Sequence, residues 1–499
     1  MHPLAMIIFG ASGDLTRRKL LPALFSLFRN DRLQGDFSIL GTARTEFSDE
    51  SFREYARGQL RTFVKPEEQD PARFEEFCRH LSYLPLDPAD AQAYPLLRER
   101  IEKLTGEAEP DNLLFYLATP PALYGVIPVH LKAVGLNSPG ARVIVEKPFG
   151  FDLASAQVLG QIYSSVFEER RVYRIDHFLG KETAQNILAF RFANGIFEPV
   201  WNRNYVDYVE VTAVENMGIE NRGGFYESAG ALRDMVQNHL IQLVALTAME
   251  PPVVFDADSF RNEVVKVYNS LKPLGEDDFR DSIIRGQYTA SADRKGYREE
   301  KGVAPDSRTE TFIAMKLFLN NWRWSGVPFY IRTGKQMPTK VTEIVVHFKK
   351  TPFQMFRSES GEPCPKGNQL VIRIQPNEGI VLKIGMKVPG AGFRLKQRSM
   401  DFTYSQLGDL DISDGYARLI EDCILGDPTL FTRNDAVEAS WRFFDPVLRY
   451  WAAHPEAPLY GYPAGTWGPK ESDMLMQDSC CGWTNPCKNL TNSDLYCEL

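Results

Sequence analysis

Leu4-Ala5-Met6-Ile7-Ile8-Phe9-Gly10-Ala11-Ser12-Gly13-Asp14-Leu15 is the stretch whose reading decides the fold. A short, unbroken apolar run bounded by glycine reads as a strand buried on both faces. Gly10 and Gly13 then turn the chain into a helix, a geometry that presents backbone N–H groups and a helix N-terminus to a pyrophosphate. Leu20, Leu21, Leu24, Phe25 and Phe28 keep one face of that helix apolar, and Pro22 lies close enough to its start to be tolerated, with at most a kink. The turn is not the full G-x-G-x-x-G pattern, so alone it says little.

The second strand, residues 37–42, adds discrimination, because it runs into Gly41-Thr42-Ala43-Arg44. An NAD-binding chain usually carries an acid there for the ribose 2'-hydroxyl, whereas a cation suits a 2'-phosphate. NADP is therefore the expected cofactor, held by Gly10, Ala11, Ser12, Gly13, Asp14, Leu15 and Arg44. The alternatives are an ordinary turn and an exposed loop arginine. Residues 112–118 and 141–145 read as further buried strands, closed by Thr119-Pro120-Pro121 and Glu146-Lys147-Pro148. Strands alternating with helices indicate a doubly wound parallel sheet, and ligands bind at the carboxyl ends of its strands. Lys147 falls there, where it can reach cofactor and substrate together, and the bond to Pro148 is a candidate for the cis form.

After about residue 175 the pattern changes. Residues 205–214, 309–319, 329–332, 343–348, 369–374 and 379–386 bury or alternate β-branched and aromatic side chains, which suggests a large, mainly antiparallel sheet. Among them, 230–249 reads as one mostly buried helix through Leu232, Met235, Val236, Leu240, Leu243, Val244 and Leu246, with His239 between apolar neighbours. A lone histidine in such a place is ordinarily a satisfied core residue. The expected architecture is an α/β Rossmann-type dinucleotide-binding domain over 1–175, an α+β substrate-binding and oligomerisation domain over 176–475, and a Cys-rich tail over 476–499.

Tyr173-Arg174-Ile175-Asp176-His177-Phe178-Leu179-Gly180-Lys181-Glu182 mixes charge and apolar residues too densely for a plain solvated face. Lys181 follows His177 by four, so on a helix or tight turn the imidazole and ammonium can meet one anionic group such as a phosphate. A helix start capped by Asp176 is the alternative.

With 57 Lys and Arg against 65 Asp and Glu, the 499-residue chain carries a net charge of -8. That argues against general nucleic-acid binding and leaves any anionic ligand to locally placed cations. No apolar run is long enough for a membrane span and no secretory leader stands at the N-terminus, so the cytoplasm is the expected compartment. Of the seven cysteines, Cys78, Cys364 and Cys423 stand alone, as reduced buried thiols do. Cys480, Cys481, Cys487 and Cys497 crowd the tail without the paired spacing of a zinc site, and no metal is expected.

The glycine turn, Glu146-Lys147-Pro148, the segment from Arg174 to Glu182, and Arg332-Thr333-Gly334-Lys335 follow one another in an order that resembles the glucose-6-phosphate dehydrogenase family from Met6 to about Leu475. Phe178 stands where many members have tyrosine. The resemblance implies oxidation of β-D-glucose 6-phosphate at C1 with hydride passing to NADP, the first step of the oxidative pentose phosphate pathway, by a homodimer or homotetramer. It implies that His239 is the general base and Asp176 the carboxylate that orients its imidazole. His177 and Lys181 match phosphate ligands, Glu215 and Asp234 match residues holding sugar hydroxyls, and Lys335 and Lys340 match substrate-binding lysines.

The chemistry agrees with those roles. Hydride leaves C1 readily only if the attached hydroxyl loses its proton, so a base titrating near working pH must be in reach. A carboxylate partner fixes the tautomer of such a histidine and keeps it basic despite burial. Two rivals stand beside this reading. Glu-Lys-Pro after a Rossmann-type domain also resembles the glucose-fructose oxidoreductase family, which lacks the Arg-Ile-Asp-His segment. A silent sensor of NADP or sugar phosphate would be free to lose Asp176 and His239.

Overall fold

The computed structural model describes residues 3–33, 36–353, 355–358, 367–407, 415–476 and 482–486. Cys364, Cys480, Cys481, Cys487 and Cys497 lie outside them, and so does most of the Cys-rich tail. The chain divides into two compact units. One takes the residues up to Lys181 together with Val253–Arg261 and 415–438, and the other takes the remainder.

The first unit is built on an all-parallel sheet of β1 (Leu4–Phe9), β2 (Phe37–Ala43), β3 (Leu81–Pro85), β4 (Leu113–Leu117), β5 (Arg142–Val145) and β6 (Val172–Arg174), in the order β3-β2-β1-β4-β5-β6. That order is the doubly wound dinucleotide-binding topology. β1 and β4 are buried at every residue, as strands covered by helices on both faces must be. The connecting helices are started by local chemistry: Ser48 and Asp152 each accept a hydrogen bond from the backbone N–H three residues on, at 3.1 and 2.8 Å. Because all strands run the same way, their carboxyl ends line one edge of the sheet. That edge gathers the glycine turn after β1, Arg44 after β2, Glu146-Lys147-Pro148 after β5 and Asp176 after β6. Cys78 and Cys423 are buried free thiols, and burial pushes Cys78 up to about 11, so it is unreactive at neutral pH.

The second unit carries ten strands. They are β7 (Val206–Val214), β8 (Ile283–Thr289), β9 (Phe312–Phe318), β10 (Pro328–Gly334), β11 (Val341–Phe348), β12 (Arg357–Ser358), β13 (Gln369–Gln375), β14 (Gly379–Lys387), β15 (Arg394–Thr403) and β16 (Tyr460–Pro463). Their order is β12-β15-β14-β13-β11-β7-β10-β9-β8-β16. Most pairings are antiparallel, but β10 with β7, β12 with β15 and β16 with β8 are parallel, so the sheet is mixed.

The single helix expected over 230–249 is three pieces: Gly223–Ala231, a π-helix Leu232–Leu240, and Ile241–Ala248. Gly230 breaks the first from the second with φ of 64°. A Cβ there would lie 2.4 Å from Glu310 Oε1, which accepts the Leu232 N–H at 3.0 Å and so starts the π segment. At the far end, Arg191 donates to the Leu246 and Met249 carbonyls at 2.8 and 2.7 Å, and the indoles of Trp201 and Trp324 donate to Thr247 and Ala248 at 2.8 Å each. These donors satisfy carbonyls that a buried helix end otherwise leaves orphaned.

Candidate active site

In the first unit the glycine turn is tied to the end of β2. Gly10 and Ala11 both donate to the Thr42 carbonyl, at 2.8 and 3.1 Å, and Ser12 Oγ lies 2.9 Å from Thr45 Oγ1. Gly10 has φ of 87°, and a Cβ on it would lie 2.2 Å from the Ala118 carbonyl oxygen, so only glycine lets the turn pass this close to the exit of β4. Arg44 is exposed beside this link. Asp14 is exposed as well. Its carboxylate accepts from Arg17 at 2.6 Å and Arg18 at 2.8 Å, and the Arg17 hydrogen bond is the chief cause holding it below the usual carboxylate range. Arg17 and Arg18, which the residue-by-residue reading passed over, add cations to the turn. Their signal was present as the basic run directly after Leu15. Arg44 follows β2 at the position where an acid would hold a ribose hydroxyl.

At the neighbouring strand ends, the Lys147-Pro148 bond is cis. Glu146 accepts a hydrogen bond from the buried Tyr116 hydroxyl at 2.5 Å. Burial pushes Glu146 up to about 7, opposed by hydrogen bonds from Tyr116 and Tyr416 and by the charge of Lys147, while the Asp176 charge adds to the rise.

Beyond β6, Asp176 is buried and residues 177–180 form a turn. Asp176 Oδ1 accepts the Phe178 N–H at 2.9 Å and its carbonyl accepts the Leu179 N–H at 3.0 Å, so the aspartate builds the turn with its own side chain. Phe178, expected mainly as a lost hydroxyl, does positive work. Its buried ring lies edge-on to His177 at 4.9 Å and under the Lys181 ammonium at 4.6 Å, so one aromatic ring packs against both side chains.

In the second unit the parallel pairing decides the geometry. Gly334 of β10 is in register with Val214 of β7, so Lys335 and Glu215, each the next residue, emerge side by side. They form an ion pair, and Lys335 Nζ also lies 3.8 Å from Asp234 Oδ2. Lys335 is only 4% exposed, and a lysine that deep is stable only with such partners. Its ammonium sits 5.5 Å from the centre of the Tyr226 ring. The Tyr226 hydroxyl is buried without a hydrogen-bond partner among the described residues, and burial first, then the Asp234 charge, raises it well above its usual range. Tyr226 joins Arg17 and Arg18 among the residues that sequence reasoning missed.

Asp234 and His239 both lie on the π segment. Residues five apart point to different sides of an α-helix, whereas the wider π turn brings them towards one side. His239 is 1% exposed. Lys340 is exposed one residue before β11.

The family description "Glucose-6-phosphate dehydrogenase, NAD binding domain" matches residues 7–186, and "Glucose-6-phosphate dehydrogenase, C-terminal domain" matches residues 188–484. The chain is 50% identical to a glucose-6-phosphate 1-dehydrogenase of Aggregatibacter actinomycetemcomitans, with 96% of this chain and 97% of that protein covered. It is 48% identical to one from Treponema pallidum, covering 100% and 98%. A solved structure of glucose-6-phosphate dehydrogenase in complex with its substrate glucose-6-phosphate superposes with a TM-score of 0.88 at 37% identity, over 97% of this chain and 99% of that one. Matched along nearly its whole length in both sequence and fold, the chain belongs to the glucose-6-phosphate dehydrogenase family.

Proposed function

We propose that this chain oxidises β-D-glucose 6-phosphate at C1 to 6-phospho-D-glucono-1,5-lactone and passes the hydride to NADP, opening the oxidative pentose phosphate pathway in the cytoplasm. The observation that carries the reading is the buried ammonium of Lys335 held by Glu215 and Asp234, beside the π segment that carries His239. A cation kept dry between two carboxylates is a preorganised set of donors and acceptors for a polyhydroxy ligand.

In this reading an imidazole nitrogen of His239 takes the C1 hydroxyl proton as the C1–H bond gives up its hydride, and the charge of Asp176 favours the protonated ring. NADP, when bound, supplies the nicotinamide that accepts the hydride. His177 and Lys181, steadied by Phe178, hold the phosphate, with Lys335 and Lys340 as further substrate cations. Glu215 and Asp234 hold sugar hydroxyls. Lys147 reaches from the sheet edge to sugar and cofactor, and Arg44 takes the 2'-phosphate. Glucose 6-phosphate deuterated at C1 should leave its deuterium on the reduced nicotinamide, read by mass spectrometry; label released to water instead would refute direct hydride transfer.

The working form is a homodimer or homotetramer. Support comes from β14 and β15, which expose Met386 and Met400 at 51% and 61%, and from Phe393 between them at 70%. A monomer mass by light scattering at working concentrations would count against it. No helix among the described residues is long and apolar enough to cross a membrane.

A further inference from the structure

We propose that the cavity at the amino-terminal ends of β4, β5 and β6 is a second binding site, taking a small phosphate-bearing anion at the edge of the parallel sheet opposite the glycine turn. The cavity has a volume of about 700 Å³, and all its lining residues belong to the first unit. That is the size of a small-ligand pocket.

Its charge points to an anion. Arg142, Arg170, Arg171 and Arg261 line it, together with Asp111, Asp256 and Asp258. The three carboxylates are committed to local structure. Asp111 accepts the Gly140 N–H at 2.5 Å, Asp256 takes the backbone and hydroxyl of Ser259 at 2.8 and 2.9 Å, and Asp258 pairs with Arg261 at 2.7 Å. Arg170 is likewise engaged by Glu168 at 2.6 Å.

Arg142 and Arg171 have no carboxylate partner among the described residues. Arg142 uses its terminal nitrogens on the Cys423 and Ile424 carbonyls, at 2.9 and 2.7 Å, and on Asn112, which fixes its plane. Its Nε and the Nε of Arg171 are both buried without a hydrogen-bond partner among the described residues. Burial lowers Arg142 from its ordinary range, and the nearby charge of Arg171 works in the same direction. Two guanidiniums that line one cavity, close enough to feel each other's charge, are mutually unfavourable until an anion lies beside them, and guanidinium geometry suits phosphate oxygens.

Arg171 is the residue to test, since it sits in the short turn Glu169–Arg171 ahead of β6 and none of the cavity's carboxylates is committed to it. Calorimetric titration with inorganic pyrophosphate is run on the intact enzyme with glucose 6-phosphate and NADPH both saturating, which fills the sites at the other edge without turnover. Wild type should bind saturably. Arg171→Gln should weaken binding by about tenfold or more, as loss of a charge-assisted pair does, with Arg171→Lys between the two. The KM values for glucose 6-phosphate and NADP should be unchanged in both variants. No heat in the wild type, heat seen only when the sugar phosphate or NADPH is left out, or equal affinity in wild type and Arg171→Gln would each overturn the proposal.

Discussion

The two units present their candidate site residues in opposite ways. In the first they stand on turns just beyond strand ends, mostly exposed or half-buried, and each turn is built by its own residues: Gly10 by its positive φ, Asp176 by its own side chain. In the second they are, Lys340 apart, buried or half-buried and held by groups far away in sequence: Lys335 by Glu215, Leu232 by Glu310, and the end of the helix after His239 by Arg191 and two tryptophans. The first kind of site is local chemistry and tolerates change around it. The second is one packed network, in which removing a member leaves a buried polar group behind.

That contrast can be broken most plainly at His239. His239→Asn should lower turnover by about 10²–10⁴-fold while the KM for glucose 6-phosphate stays close to normal, because the loss is of a proton acceptor and not of a ligand. Steady-state kinetics with near-normal turnover would put the base elsewhere. In the first unit the matching substitution is Arg44→Ala. It should weaken NADP by about tenfold to a hundredfold and leave NAD almost untouched, since one charge-assisted pair is at stake. Equal losses for both cofactors in a binding titration would remove the arginine from the 2'-phosphate.

The network itself can be probed through backbone strain. Gly230→Ala forces a side chain into a left-handed conformation against Glu310, and should destabilise the protein by about 1–3 kcal/mol in urea unfolding. An unchanged midpoint would mean that the start of the π segment relaxes freely. The effect that depends most on conditions belongs to Glu146, which burial raises from an ordinary 4.5 to about 7. The folded protein then holds a proton that the unfolded chain has lost over that interval, so wild-type stability falls as pH rises through it, by up to about 1.4 kcal/mol per pH unit. Glu146→Gln abolishes the titration, and its stability relative to wild type should improve between pH 5 and pH 8. A difference that stays constant with pH would contradict the burial of this carboxyl.

Legibility divided along the same line. The glycine turn, the strands at 37–42, 112–118 and 141–145 and the turn after Asp176 were readable because each is specified within a dozen residues or so by apolar runs and turn chemistry. β3 was not, lying unmarked inside a charged, helix-forming stretch. β15 exposes most of its residues, so no apolar alternation announced it. The parallel register of β10 on β7, which sets Lys335 beside Glu215, is a pairing between distant segments that no window of sequence contains. The π segment had the apolar content of an ordinary helix, and nothing local distinguishes the two. The attachment of 415–438 to the first unit likewise depends on distant contacts, such as Arg142 with the Cys423 carbonyl. Family resemblance supplied His239, Glu215 and Asp234, where residue patterns alone favoured a core histidine and surface acids.

The measurement that bears most directly on the whole account is the absorbance of reduced nicotinamide after mixing the purified protein with glucose 6-phosphate and either NADP or NAD. The account predicts rapid reduction of NADP, with a clear preference over NAD that Arg44→Ala erodes. No reduction of either cofactor by folded protein, across a range of sugar phosphates, would contradict it.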